Sequence, residues 1–541
     1  MVEELVERSR NEFLTAFPVY HAEEDWHQKA VIYSLYADLY AGHFKGLTRR
    51  LDYLSTLGVN TVWLLPVLKS PMRDYGFDVE NYFEIREDLL SSGSQEEFYD
   101  FIREAHMRGI RLIFDVPLGH CSDQHEYFQD VLKSGKNSPW YDYFIWNKDE
   151  EKYKDCRILF KGMMTSNWEY KEDVGEYFFH RFYDFQPDWN YRNPKVLLQA
   201  ISIFAFWKNK GIDGFRLDAI PFLWKEEGTD CENLPQTHTI VKLIRAVLDA
   251  IAPGSLLLAE ACQPPAEVVR YFGSGDEVSA AYHFPLMPQI YNSLAKESSS
   301  PIQEVLDERN TPAIPDGCSW FTFLRCHDEL TLEFVTPEDR AFLHWHYCHD
   351  SRWDFRQGEG ISARLRDLMK GDVHKILLAY SILLTLEGSP IFYYGDEFGQ
   401  SNDEDFFNAS VEEVGYADSR NFVRGPVDWP SVRSNLKEPN SLSYTLFHSL
   451  KDLIFIRQNR IIPFKSAAEF EWLHDKCLCY KRQGQNDKEF WFVHNLSAEE
   501  ITVDLTPRGE AEFLDLTTGL PISNGDTVLG PYRFLWLVTV S

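Results

Sequence analysis

The stretch GIDGFRLDAIPFL (211–223) decides how the rest of the chain is read. Its short apolar run stops on the carboxylate of Asp218 and gives way to a loop at Pro221. Two later stretches repeat the pattern: LLLAEACQ (256–263) ends its apolar run on Glu260, and FTFLRCHDEL (321–330) leads into Asp328. In a closed barrel of parallel strands all the C-terminal strand ends open on one face, so acids far apart in sequence converge there. Working outward, AVIYSLY (30–36), NTVWLLPV (60–67), IRLIFDVPL (110–118), EVSAAYHF (277–284) and SPIFYYG (389–395) read as further buried strands. With 214–218, 255–261 and 321–326 they make eight, separated by helical patterns such as QEEFYDFIREAHMRG and LLQAISIFAFWKNKG. A doubly wound sheet shares this alternation. Eight strands, with acids ending the fourth, fifth and seventh, favour an α/β fold of the (β/α)8 TIM barrel type.

Two breaks in the rhythm set the expected domain boundaries. Residues 121–186, dense in Tyr, Trp, Phe and charge, interrupt it after strand three, and a connection that long is normally a subdomain of its own. Beyond residue 461 the helical pattern stops. There EFEWLHD, CLCYKRQ, EFWFVHNL, ITVDL, AEFLDL and YRFLWLVTV alternate like the antiparallel strands of a small β-sandwich. The organisation expected is an N-terminal helical extension over 1–24, the barrel over 25–120 and 187–460, an inserted lid subdomain over 121–186, and a C-terminal antiparallel β-sandwich over 461–541.

With 44% hydrophobic residues among 541, the chain can bury a large core. A formal net charge of −30 argues against nucleic acid or an anionic membrane as partner. No apolar run approaches the roughly 18 residues that suggest a membrane span. Nine scattered cysteines without metal-ligand spacing suit a reducing compartment, and the charged amphipathic N-terminus does not read as a signal peptide. A cytoplasmic enzyme is expected, with assembly into a homo-oligomer left open.

The acids suggest the chemistry. Arg216 lies two residues before Asp218 on the same strand face, and a neighbouring guanidinium keeps a carboxylate ionised and nucleophilic. Glu260 ends an apolar strand, where desolvation raises a carboxyl pKa and suits it to donating a proton. A carboxylate pair of this kind cleaves glycosidic bonds through a covalent intermediate, and a third acid can hold the sugar ring. Asp115 and His120 form another polar cluster at the end of strand three. The spacing of His120, Asp123 and His125 matches no standard metal-ligand pattern, so no metal residues are assigned there.

The segments GVNTVWLLPVLKSPMRDYGFDVENY, DVPLGHCSDQH, QPDWNYRNP, GFRLDAIPFL, LLAEACQ, FLRCHDELTLEFV, GSPIFYYGDEFG and DSRNFVRGPVDW, in this order, resemble glycoside hydrolase family 13, the α-amylase superfamily. Within it they lean towards the trehalose synthases, which are maltose α-D-glucosyltransferases. The resemblance implies Asp218 as nucleophile, Glu260 as acid/base and Asp328 as stabiliser of the bound ring. It implies Arg216, His120 and His327 as the lining of the cleaved glucose's subsite. Asp78 and Arg420 would close that pocket, and Phe77 would stack where a Tyr is usual. The implied substrate is a small α-glucoside: maltose, trehalose or a short maltooligosaccharide. Isomerisation, hydrolysis of the α-glucosidase or α-amylase type, and transglucosylation of another short α-glucoside remain open outcomes. No cofactor is implied. Relatives commonly bind Ca2+ through an Asn at the position of Gly119, the Asp at 188, and groups after the nucleophile. Gly119 and Lys225 both disfavour that ion here, and Lys225 either pairs with Asp188 in its place or is a solvated loop residue. Retention of the three acids with Arg216, His120 and His327 argues against an inactive relative that serves only as a binding partner.

Overall fold

The computed structural model describes residues 2–18, 23, 25–462, 464, 466–484, 488–506, 512–522 and 525–540. Eight parallel strands close into a barrel in chain order: β1 (Ile32–Leu35), β2 (Thr61–Leu64), β3 (Arg111–Pro117), β4 (Gly214–Asp218), β5 (Leu256–Ala259), β6 (Ala280–Tyr282), β7 (Ser319–Phe323) and β8 (Ser389–Tyr393). Barrel strands are covered outside by helices and inside by one another's side chains, which explains their continuous apolar runs. All four residues of β5 are buried, as are all five of β4. Register then places polar groups deliberately: Asp115 on β3 lies beside Arg216 on β4, and Pro117 beside Asp218.

The expected strand at 321–326 is shifted. β7 begins at Ser319 and ends at Phe323, before Cys326. Arg325 accounts for the early end, because its guanidinium hydrogen-bonds the Asp328 carbonyl at 2.7 Å and the Ala363 carbonyl at 2.7 Å. The chain is wrapped around a buried cation there instead of continuing the ladder.

The insertion after β3 contains the helix Glu126–Ser134 and a three-stranded antiparallel sheet, with Glu176–Phe179 between Trp146–Asn147 and Trp168–Lys171. Its aromatics are largely its own core: Tyr127 stacks on Trp140 with centroids 3.7 Å apart, and Tyr153 on Trp168 at 6.2 Å. A second excursion follows β7. It holds the helix Pro337–Tyr347 and three short antiparallel strands, Leu330–Thr331, Asp354–Phe355 and Gly360–Ile361.

After the barrel, a six-stranded antiparallel sheet and a two-stranded one (Ile501–Asp504 with Asp526–Leu529) share an apolar cluster that includes Val493, Val503, Phe513 and Leu537. This unit docks on the barrel helix Val373–Thr385, where Ser381 receives the Trp536 indole N–H at 2.8 Å and contacts His494 at 3.0 Å. At the other end of the chain, the helix Val2–Ala16 buries Phe13 against helices Pro194–Asn209 and Pro235–Ile251. Among the described residues no helix is long and apolar enough to cross a membrane.

Candidate active site

The C-terminal ends of β4, β5 and β7 bring Asp218, Glu260 and Asp328 into one pocket. Its centre is Arg216. Buried inside the barrel, Arg216 donates to Asp218 Oδ1 at 2.8 Å, pairs with Asp115, and lies 3.8 Å from Glu260 Oε2. Three carboxylates on one guanidinium, with the Trp63 indole donating to Asp115 at 3.0 Å, hold its orientation. Burial alone would lower the Arg216 pKa, but Asp115, Asp218 and Glu260 reverse this and keep it charged.

Ala219, just past Asp218, has φ +51°, a left-handed conformation that a non-glycine residue adopts at a cost. That turn aims its N–H at Glu260 Oε2, 2.6 Å away, and so ties the two acids together. Burial raises Glu260 to about 7; Arg216 opposes the rise and the Asp218 charge adds to it. A carboxyl at that value is protonated for about half of the time at neutral pH, as an acid that also serves as a base requires.

Asp328 is treated in the opposite way. Burial would raise it, but His327 at 3.1 Å, Arg420 at 3.1 Å and Arg424 at 3.2 Å together hold the carboxyl well below the usual range. Burial pushes His327 down to about 3, so its ring is neutral at neutral pH, with Nε2 3.1 Å from Asp328 Oδ2. Phe77 stacks on the His327 ring, with centroids 5.4 Å apart and planes 18° apart. His120 Nε2 donates to the Phe77 carbonyl at 3.1 Å, and its Nδ1 has no hydrogen-bond partner among the described residues. Phe77, His120, Arg216, His327 and Arg420 all line the pocket.

Asp78 does not, and its expected pairing with Arg420 is corrected. The Asp78 carboxylate is fully buried behind the loop, where it accepts the Ser70 hydroxyl at 2.8 Å and the N–H groups of Arg73 and Asp74 at 3.2 Å. It caps its own turn. The acid facing the pocket is Asp74, with Oδ1 3.9 Å from Arg420 Nη2. The two aspartates flank the Gly76 turn (φ +94°), and the local sequence RDYGFD does not reveal which one turns inward.

Sequence reasoning expected a lid over 121–186 but named none of its pocket-lining residues, and it missed the second segment. Arg157, Leu159, Phe160 and Phe182 come from the insertion, and Glu329, Glu333, Phe355 and Arg356 from the excursion after β7. The two segments are bonded across the mouth. Arg157 donates to Glu333 at 2.8 Å, Arg356 donates to the Leu159 carbonyl at 2.8 and 3.0 Å, and Lys161 meets Glu359 at 2.8 Å. Arg420 sits between them, its guanidinium carbon 5.4 Å from the Phe160 ring centre and 5.1 Å from that of Phe355. The two segments therefore bridge part of the pocket's rim.

Beside it, Lys225 Nζ pairs with Asp188 Oδ2, and both side chains are buried. Asp188 Oδ1 accepts the Arg181 N–H at 2.9 Å, and the Trp189 N–H bonds the Gly119 carbonyl at 2.9 Å. An ammonium on the carboxylate and a glycine without a side-chain oxygen do not make a site for a hard dication. Of the remaining polar loop residues, His125 caps the helix Glu126–Ser134 and Asp123 pairs with Arg73.

Residues 24–436 match the family described as Alpha amylase, catalytic domain. The chain is similar to a trehalose synthase/amylase TreS of Mycolicibacterium smegmatis, with 40% identity over 423 residues that cover 76% of this chain and 68% of that protein. It is also similar to a trehalose synthase of Pimelobacter sp., with 42% identity over 396 residues covering 70% and 68% respectively. Among solved structures, an alpha-glucosyl transfer enzyme, XgtA, shares the fold with a TM-score of 0.76 at 21% identity, over 95% of this chain and all of that one.

Proposed function

The chain belongs to the alpha-amylase family, glycoside hydrolase family 13, and from that premise we propose that this glucosyl-processing enzyme interconverts maltose and trehalose within a closed pocket. Asp218 attacks the anomeric carbon while Glu260 protonates the departing oxygen, giving a β-glucosyl ester on Asp218. Asp328, held ionised by Arg420 and Arg424, binds ring hydroxyls and balances the positive charge that develops in the oxocarbenium-like transition state. The released glucose stays in the pocket, turns, and attacks through its anomeric hydroxyl, with Glu260 now taking the proton. Inversion at each of the two displacements restores the α configuration, so the overall outcome is retention. The domain reading fits this division of labour: 121–186 as lid, 25–120 and 187–460 as catalytic barrel, and 461–541 as a docked sandwich.

The observation that carries the reading is the bridge at the rim. Water competes with the trapped glucose for the ester, so an isomerase needs its mouth shut for the life of the intermediate. The bonds from Arg157 to Glu333 and from Arg356 to the Leu159 carbonyl, which tie the two segments together at the rim, support that closure. Incubation with maltose tests it. Trehalose is expected in molar excess over free glucose; glucose alone would make the protein an α-glucosidase-type hydrolase and reject the isomerase assignment.

The Glu260 environment adds a pH prediction. Its carboxyl is raised to about 7, so the acid form needed for the first step predominates below that value and is lost above it. kcat/KM for maltose is expected to fall on the order of tenfold per pH unit on the alkaline side. An alkaline limb that begins near pH 9 would remove Glu260 from the role.

A further inference from the structure

Outside the pocket, the insertion has a small apolar core of its own: Ile145, Tyr153, Cys156, Trp168 and Phe179. One more residue enters that cluster, and it comes from the barrel. Cys231, in the loop between β4 and the helix Pro235–Ile251, is fully buried there, in the same cluster as Cys156. Neither cysteine is engaged in a disulfide.

Several contacts enforce this meeting. Cys231 has φ +58°, a left-handed backbone that a non-glycine residue keeps only when its surroundings require it. Its N–H is taken by the Thr229 hydroxyl at 3.1 Å. The residues next to the two cysteines are bonded as well, Arg157 to Glu232 at 2.8 Å, and the Tyr153 N–H reaches Glu227 at 3.1 Å. Two thiols, 75 positions apart in sequence, thus share one buried cluster across the seam between insertion and barrel.

We propose that Cys156 and Cys231 form an oxidation site, closed by a peroxide into a disulfide that pins the insertion to the barrel and slows opening of the pocket. One thiol attacks hydrogen peroxide, breaking its O–O bond, and becomes a sulfenic acid with release of one water. The second thiol then attacks that sulfur, forming the S–S bond and releasing a second water. Both electrons come from the thiols, and peroxide is the oxidant. Cys156 is the first nucleophile, because the Cys231 thiol is fully buried whereas that of Cys156 is not. Cys156 keeps a slight exposure, 6%, which offers the small oxidant an approach.

The link bears on the pocket because Arg157, Leu159 and Phe160 directly follow Cys156 and belong to its wall. This kinetic consequence rests on the lid reading above, whereas the chemical one does not. The test treats the purified protein with hydrogen peroxide, maps it by mass spectrometry without reduction, and follows turnover of a nitrophenyl α-glucoside. A peptide linked through 156 and 231 is expected, lighter by two hydrogens, with turnover slowed roughly tenfold by hindered opening and restored by dithiothreitol. Cys156→Ser and Cys231→Ala, made separately so that one folding failure does not remove the test, are expected to show neither the link nor the slowing. Alkylatable Cys156 and Cys231 after other thiols have oxidised would overturn the site. A formed link with unchanged turnover would overturn the latch while leaving the substrate assignment untouched.

Discussion

Asp218→Asn is expected to reduce kcat/KM for maltose by roughly several thousandfold or more, because an amide cannot form the glycosyl ester. The fold should survive. Arg216 keeps Asp115 and Glu260 as partners, and Asp115 is itself anchored by the Trp63 indole, so the buried guanidinium is not left uncompensated. A wild-type Tm in the inactive variant would therefore separate lost chemistry from lost structure. Azide adds a stereochemical check. In Asp218→Gly the ion should enter from the vacated face and give a β-glucosyl azide by single inversion. In a Glu260→Ala variant supplied with an activated α-glucoside it should give the α-azide by double displacement. Near-wild-type turnover in Asp218→Asn would abolish the nucleophile assignment.

How much of this was legible follows from where each constraint resides. The barrel strands were readable because burial on both faces leaves continuous apolar runs, each ended by a residue that must meet solvent or substrate. That is why Asp218 and Glu260 stand out in the bare chain. The early end of β7 was not readable, since it depends on Arg325 reaching the Ala363 carbonyl, 38 positions away. Asp74 and Asp78 were exchanged for a different reason. Both flank one turn, and the choice between pocket and cap depends on whether a carboxylate finds the N–H groups of Arg73 and Asp74, as Asp78 does. The bridge at the rim was the least accessible. Arg157 and Glu333 are 176 residues apart, and each alone looks like ordinary surface charge. A polar contact between two inserted segments carries no periodicity, so no local pattern announces it.

Lys225 and Asp188 were the exception among long-range pairs, because an ammonium standing where relatives carry oxygen ligands signals a replaced cation. The ion pair now found there is buried at both ends, and removal of one partner should be costly. Lys225→Met would leave the Asp188 carboxylate without its cation in a dry site, and a loss of about 3–5 kcal/mol is expected, read as a lowered Tm. Asp188→Asn together with Lys225→Met should recover much of that loss, since neither charge then remains. The sharper test is to rebuild the ion site. A Cβ at Gly119 would meet nothing within 4 Å, so a side chain can leave the backbone there without a clash at its first atom. Gly119→Asn with Lys225→Glu restores an oxygen at each altered position and removes the ammonium. This double variant is expected to be unstable in chelator and to regain Tm with millimolar Ca2+, while the parent responds to neither. A parent protein that loses Tm in chelator would show that a cation, and not Lys225, neutralises Asp188 at the seam between insertion and barrel.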